Sequence, residues 1–272
     1  MKIISLLGAN KTMKTILITN DDGYDASGIL ALKDALSEVA KVAVVAPAFH
    51  KSATAHSLTI TKPLKLIEIA NDFYKLEDGT PADCVYVALN TIFKDIKPDL
   101  IVSGINIGAN MGEDITYSGT AGAAMEGVLH DIPSLAISQV FRGKRDTNYD
   151  LAKKSIKDIV SRILNGNYPL GKRELLNINI PPISIDEFKG YKVVHAGCRG
   201  YDSNIEYNTD PRGQKYYWIG LPNLSWYHRY EEDTESDFQA IEDGYVALTP
   251  VTLDMTSYKS INRVKEWLNE IR

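Results

Sequence analysis

Short runs that are apolar at nearly every position, separated by segments of helical periodicity, constrain this chain more than any other feature. Thr15-Ile16-Leu17-Ile18-Thr19 and Val42-Ala43-Val44-Val45-Ala46 are two such runs, and Ile29, Leu30, Leu32, Leu36 and Val39 recur between them at roughly helical spacing. A strand that faces water on one side alternates apolar with polar residues, whereas a strand apolar throughout must be covered on both faces. The first unit therefore reads as β-α-β, with Ser27 the expected helix cap. A second round follows: a helix over 82–92, a strand at Leu100-Ile101-Val102, a helix over 120–129 and a strand at Leu135-Ala136-Ile137. The expected fold is α/β, a mostly parallel sheet with helices on both faces. Ligands collect at the carboxyl ends of strands in such sheets, and the polar loops after residues 19, 46 and 103 all leave from such ends.

The pattern changes after about residue 185. Val193-Val194 and Tyr216-Tyr217-Trp218-Ile219 read as strands around a Pro211-Arg212-Gly213 turn, with few helical signals before a last helix near 261–271. That helix carries Val264, Trp267, Leu268 and Ile271 on one face. A long two-stranded arm is marginal alone, so it is expected to pair with another subunit. The expected organisation is an N-terminal extension over 1–12, a catalytic body over 13–185, and an oligomerisation arm with a terminal helix over 186–272.

Composition narrows the function classes. A chain of 272 residues with 44% hydrophobic content suits one substantial core. A net charge of -5 gives no long-range field to hold a polyanion, which argues against a nucleic-acid polymer as partner. Cys84 and Cys198 form no Cys-x-x-Cys pair, so neither a zinc site nor a disulfide framework is expected, and a reducing cytoplasm fits. No apolar stretch approaches the roughly 20 residues that span a bilayer. The opening Met1-Lys2-Ile3-Ile4-Ser5-Leu6-Leu7 is at the short limit for a signal peptide and lacks a clear cleavage site.

Three loops carry the candidate chemistry. Adjacent carboxylates at Asp21 and Asp22, on a loop leaving a buried strand, repel each other unless a cation or strong donors compensate them. A solvated Asx turn formed by Asn20-Asp21-Asp22-Gly23 accounts for the same residues. The loop after the second strand holds Ser52 and two candidate bases, His50 and His56, with nothing in the sequence to fix their distance from Asp21. The third is the glycine-rich segment from Ser103 to Gly112, followed by Ser118-Gly119-Thr120, which matches neither the dinucleotide fingerprint nor the Walker phosphate loop. Ser118, Gly119 and Thr120 precede a helix of small residues, where free N–H groups and hydroxyls can hold a phosphate; an ordinary helix cap explains them too. Asp21, Asp22, Ser52 and Asn106 together present carboxylate, hydroxyl and amide oxygens, a set suited to magnesium, manganese or calcium.

Ile16-Leu17-Ile18-Thr19-Asn20-Asp21-Asp22-Gly23, Ser103-Gly104-Ile105-Asn106 and Ser118-Gly119-Thr120 resemble the SurE survival-protein family. The similarity covers essentially residues 13–255 and includes Asp210-Pro211-Arg212-Gly213 and Gly244-Tyr245-Val246-Ala247-Leu248-Thr249-Pro250. The resemblance implies a Rossmann-like body with a C-terminal β-rich arm exchanged between subunits, hence a homodimer or homotetramer. It implies metal-dependent 5'/3'-nucleotidase activity on nucleoside monophosphates, with short polyphosphate as a further substrate. It assigns one divalent cation to Asp21, Asp22, Ser52 and Asn106, and the substrate phosphate to Ser118, Gly119 and Thr120 with Asn110. Residues 224–236 and the first dozen residues depart from the family pattern.

Slow phosphomonoester hydrolysis needs large electrostatic stabilisation, which a metal and the Ser118 to Thr120 donors would supply, with Asp21 expected to orient or deprotonate the attacking water. An aspartyl-phosphate mechanism is not expected, because Gly23 stands where an Asp-x-Asp pattern needs its second acid. A nucleotide sensor without turnover is the alternative of a different class.

Overall fold

The computed structural model describes residues 13–141, 148–200, 205–219, 225–227 and 235–271. The extension expected over 1–12 lies outside them, as do residues 224 and 228–234 of the divergent stretch. Strand β1 (Thr15–Thr19) leads through α1 (Ser27–Ser37) to β2 (Lys41–Pro47), followed by a hairpin of β3 (Lys65–Ala70) and β4 (Phe73–Glu77). Next come α2 (Pro81–Asn90), β5 (Leu100–Ile107), α3 (Gly119–Leu129), β6 (Ser134–Gln139), α4 (Asp150–Leu164) and β7 (Glu174–Ile180). The chain continues with β8 (Tyr191–Val193), β9 (Cys198–Gly200), β10 (Ile205–Thr209), β11 (Lys215–Ile219) and β12 (Ser225–Tyr227). It closes with α5 (Asp237–Glu242), β13 (Val246–Thr252) and α6 (Tyr258–Asn269).

The main sheet has the order β3-β4-β2-β1-β5-β6-β7-β13-β8. Strands β4, β2, β1, β5, β6 and β7 are parallel, while β3 and β13 run antiparallel to β4 and β7. The apolar run of β1 is explained by where its side chains go. Ile16 and Ile18 enter a core with Ile29, Leu32 and Leu36 of α1 and Ile156 and Val160 of α4. Leu17 enters the opposite core with Val85 and Ala88 of α2 and Ala123 of α3. Each of these β1 side chains is fully buried, and burial of that kind stabilises by about 1.5–3 kcal/mol per residue.

Ser27 is not the helix cap that the sequence suggests. Ala26 occupies that position with no side-chain cap bond, and the Ser27 hydroxyl lies 3.2 Å from the Tyr149 hydroxyl at the start of α4. Strands β13 and β8, from the chain after residue 185, complete one edge of the main sheet. A smaller core joins them to the body through Met111, Val194, Phe238, Ile241 and Ala247.

An antiparallel hairpin does surround the Pro211 turn, but its first strand is β10 and not Val193-Val194, because Val193 lies in β8 and pairs with β13 in the main sheet. β10 and β11 pair from Ile205 with Ile219 to Thr209 with Lys215, and all ten of their residues are exposed. Helix α6 buries none of its residues. Both cysteines are free and buried. Among the described residues no helix is long and apolar enough to cross a membrane.

Candidate active site

From β1 the chain passes to β2 on one side and later returns to β5 on the other, so the strand order reverses between β1 and β5. Such a reversal opens a crevice at the carboxyl ends of the two strands. The Asn20 to Gly23 turn leaves β1 into that crevice. Asn20 holds the turn itself: its Oδ1 accepts from the Gly23 amide at 3.3 Å and its Nδ2 donates to the Gly23 carbonyl at 2.8 Å. The Asx role thus falls to Asn20 and leaves both aspartates free.

Asp21 is 4% exposed, and its Oδ1 accepts from the Thr120 hydroxyl at 2.6 Å. Asp22 Oδ2 accepts from the Ile107 amide at 3.2 Å, and its Oδ1 lies 3.4 Å from Nδ1 of His50. Burial, opposed by the Thr120 hydrogen bond and reinforced by the Asp22 charge, pushes the Asp21 carboxyl up to about 6. Burial also raises Asp22, against the Ile107 amide and His50. Among the described residues no Lys or Arg pairs with either aspartate; the protein offers them neutral donors and one histidine.

A bulge delivers the third oxygen. Ser103 pairs with Ala136 but Asn106 pairs with Ser138, so β5 carries one extra residue there. Gly104 in this bulge has φ +141, and a Cβ on it would stand 2.3 Å from the Ile137 carbonyl oxygen, so a side chain is excluded. Asn106 Nδ2 donates to the Gly108 carbonyl at 2.9 Å, which orients the amide and leaves Oδ1 as an open acceptor. The loop after β2 is tied to the same place by the Lys51 amide, which donates to the Asp21 carbonyl at 2.7 Å. Ser52 follows directly, its hydroxyl 2.6 Å from Nε2 of His50.

Two carboxylates, a hydroxyl and a carboxamide oxygen form a hard donor set that fits magnesium, manganese or calcium. Among the described residues no three or more His, Cys, Asp or Glu side chains gather as a metal site, so the set depends on the two neutral oxygens.

Ser118 caps α3: its hydroxyl accepts from the Ala121 amide at 3.0 Å and its carbonyl from the Gly122 amide at 2.9 Å. The amides of Gly119 and Thr120 have no protein acceptor among the described residues, which leaves the first turn of α3 with two free donors beside Asp21. The Thr120 hydroxyl proton is committed to Asp21, so Thr120 offers an anion its backbone rather than its side chain.

Asn110 is placed differently from the other expected residues. Its amide donates to Asn179 Oδ1 at 3.0 Å and its Nδ2 to the Ser138 hydroxyl at 2.7 Å, while Asn177 and Asn179 donate to its carbonyl. The backbone N–H and one of the two Nδ2 hydrogens are therefore engaged inside the fold, and the second Nδ2 hydrogen remains a donor. His50 joins the acid pair, whereas His56 turns to Glu126, 2.7 Å away. The Ile107 amide, not singled out from sequence, has no side-chain signal that would have revealed it.

A family model described as Survival protein SurE matches residues 16–203. The 5'-nucleotidase SurE of Aliarcobacter butzleri (strain RM4018) is 54% identical over 263 residues, covering 94% of this chain and 100% of the relative. That of Helicobacter hepaticus (strain ATCC 51449 / 3B1) is 53% identical over 262 residues, covering 94% and 99%. Among solved structures, the SurE protein from Aquifex aeolicus aligns with a TM-score of 0.79 at 44% identity, over 93% of this chain and 99% of that one. The acid pair, the bulged Asn106 and the Ser118 cap all fall within the matched span, and this chain belongs to the SurE family.

Proposed function

We propose that this chain is a divalent-cation-dependent 5'-nucleotidase that hydrolyses nucleoside monophosphates, the activity its relatives are named for. The observation that carries this reading is the 2.6 Å hydrogen bond from Thr120 to Asp21. It joins the acid pair at the end of β1 to the first turn of α3, so the groups suited to a cation and those suited to a phosphoryl group belong to one site.

One divalent cation per subunit, held by Asp21, Asp22, Ser52 and Asn106, supplies Lewis-acid neutralisation of phosphoryl charge when bound. The amides of Gly119 and Thr120, with the positive end of α3, hold the phosphoryl oxygens, and Ser118 keeps that turn in shape. These donors are fixed before substrate arrives, so they need no reorganisation as charge develops. Thr120 fixes one oxygen of Asp21 and leaves the other to orient the attacking water. Asn110 is held in the glycine-rich loop by Ser138 and Asn177, and its second Nδ2 hydrogen is a further donor for the phosphoryl group. Action on 3'-nucleotides and short polyphosphate belongs to the same proposal, since each presents a terminal phosphoryl group. The exposed β10–β11 hairpin supports exchange of this arm between subunits of a homodimer or homotetramer.

One observation favours a second reading. Asp22, His50 and Ser52 line up as a relay, with 3.4 Å and 2.6 Å separations, in the order used to activate a serine nucleophile. That relay leaves Asp21 and Asn106 without a task, and its His50 and Ser52 are exposed. Phosphate release from AMP with magnesium or manganese, with EDTA, and by His50→Ala separates the two. The nucleotidase reading requires release that EDTA abolishes and that His50→Ala lowers by no more than about 100-fold, as expected for a group that touches the metal's ligands without being one. EDTA-insensitive release that His50→Ala abolishes would instead establish the relay. Tight nucleotide binding with no release under any of these metals would establish the sensor.

A further inference from the structure

We propose that His56 is a positioning residue for this reaction, tied to the buried carboxylate of Glu126 so that the loop carrying His50 and Ser52 is clamped onto α3. The inference rests on the nucleotidase reading and extends it to residues outside the acid pair. Glu126 lies on α3 and is 4% exposed, yet its two oxygens meet two imidazoles: Oε2 is 2.7 Å from His56 Nε2 and Oε1 is 3.1 Å from His130 Nε2. Burial opposes ionisation of Glu126, but the hydrogen bonds and charges of His56 and His130 outweigh it and hold the carboxyl below its ordinary range. A buried carboxylate answered by charge-assisted bonds is a strong anchor, and His56 is the one of its two partners that lies on a loop.

That loop is under backbone strain and in close contact. Ala53 and Ala55 have φ of 56 and 51, left-handed conformations that cost a non-glycine residue about 1 kcal/mol or more. The loop rests directly on the helix: a Cβ on Gly119 would lie 2.9 Å from the Thr54 hydroxyl oxygen, and one on Gly122 would lie 2.4 Å from the Ala55 carbonyl oxygen. Upstream of His56 it is tied by the Lys51 amide to the Asp21 carbonyl at 2.7 Å and by the Ala55 amide to the Tyr117 carbonyl at 3.0 Å. Downstream, the Thr59 amide donates to Asp83 at 2.8 Å at the start of α2. Ser52 sits between the first two ties, so its place beside the acid pair depends on the path of residues 53–56. His56 is the loop's own side chain that anchors the end of that path on α3, and the Thr80 hydroxyl holds the Ser57 carbonyl just beyond it at 2.7 Å. His130 follows α3 as its C-cap and holds no part of this loop.

The test is manganese binding to the intact purified protein, read as loss of the free-ion signal in electron paramagnetic resonance, for wild type, His56→Ala, His56→Gln and His130→Ala. Loss of a group that orients a metal ligand weakens the ion by about 10-fold or more, which is the shift expected of His56→Ala. His56→Gln, whose amide can still donate to Glu126, should recover most of the affinity, and His130→Ala should stay near wild type. Wild-type affinity in His56→Ala would overturn the proposal. So would His56→Gln as weak as His56→Ala, or His130→Ala as weak as either. If His56→Ala does not fold, His56→Asn, polar but too short to reach Glu126, takes its place in the comparison. Failure of wild type itself to bind manganese would count against the nucleotidase reading instead.

Discussion

The carboxyl end of β1 and the β10–β11 arm are built in opposite ways. Around Asp21, charged and polar groups are withdrawn from water and tied to one another: Thr120 to Asp21, the Ile107 amide to Asp22, Asn106 to Gly108. In the arm, Tyr207, Tyr217, Trp218 and Ile219 all stand in the open, held by one two-stranded ladder. The first region buries a carboxylate at a cost in desolvation, the second carries apolar surface that its own subunit does not cover. A site confined to one subunit should respond to single-atom changes, whereas the arm should respond in assembly and leave the fold of the body alone.

The largest effect is expected from Asp22→Asn. Removing a charged ligand should lower metal-dependent phosphate release by about 1,000-fold, or about 4 kcal/mol of transition-state stabilisation, measured as kcat/KM for AMP. Asp21→Asn should also lose turnover, yet without metal it should make the fold more stable. The Asp21 carboxyl stands at about 6 in the fold against its ordinary 3.8, so between those values the folded chain binds more protons than the unfolded one. Metal-free stability from this group is therefore greatest below the unfolded value and falls as pH rises through about 6. About two pKa units correspond to at most about 3 kcal/mol. Urea melts of wild type and Asp21→Asn in EDTA at pH 8 and pH 4 should diverge at the higher pH and converge at the lower. Saturating magnesium should reverse the order at pH 8.

Two glycines sharpen the contrast at smaller scale. Gly122→Ala forces a Cβ against the Ala55 carbonyl and should cost about 1–3 kcal/mol with weaker metal binding, although alanine is the better helix former. Gly213→Ala, in the arm turn with φ +83 and nothing within 4 Å, should cost only about 1 kcal/mol, from backbone conformation alone. The smallest effect on the body is expected from Trp218→Ser: about 0.5 kcal/mol or less in its denaturant midpoint, while light scattering reports a smaller assembly.

The same contrast runs through what could be read from sequence. The runs of β1, β2, β5 and β6 announce buried parallel strands because each must satisfy a core on both sides, and the arm announces itself by its turn and aromatics. Helix α4 carries a signal of the same kind, Leu151, Ile156, Ile159, Val160 and Ile163, to which no element is assigned from sequence. Strand β3 is a half-exposed edge and sends a weaker one. At the site, strand-end logic locates the right loops, because a parallel sheet dictates where its polar loops emerge. It does not tell partners apart. Nothing near Asn110 in the sequence shows that Asn177 and Asn179, nearly 70 residues away on β7, hold its backbone carbonyl. His50 and His56 look alike until Asp22 claims one and Glu126, on α3, claims the other. Pairings over that distance follow from the order of strands in the sheet, which no local pattern encodes.

The most direct test of a metal-dependent centre between β1 and α3 is anomalous scattering from crystals soaked in manganese. The prediction is one strong peak within about 2.5 Å of oxygens of Asp21, Asp22, Ser52 and Asn106, lost in Asp22→Asn. A peak at His56, Glu126 and His130 with none at the acid pair, or no peak at the pair under saturating manganese, would contradict it.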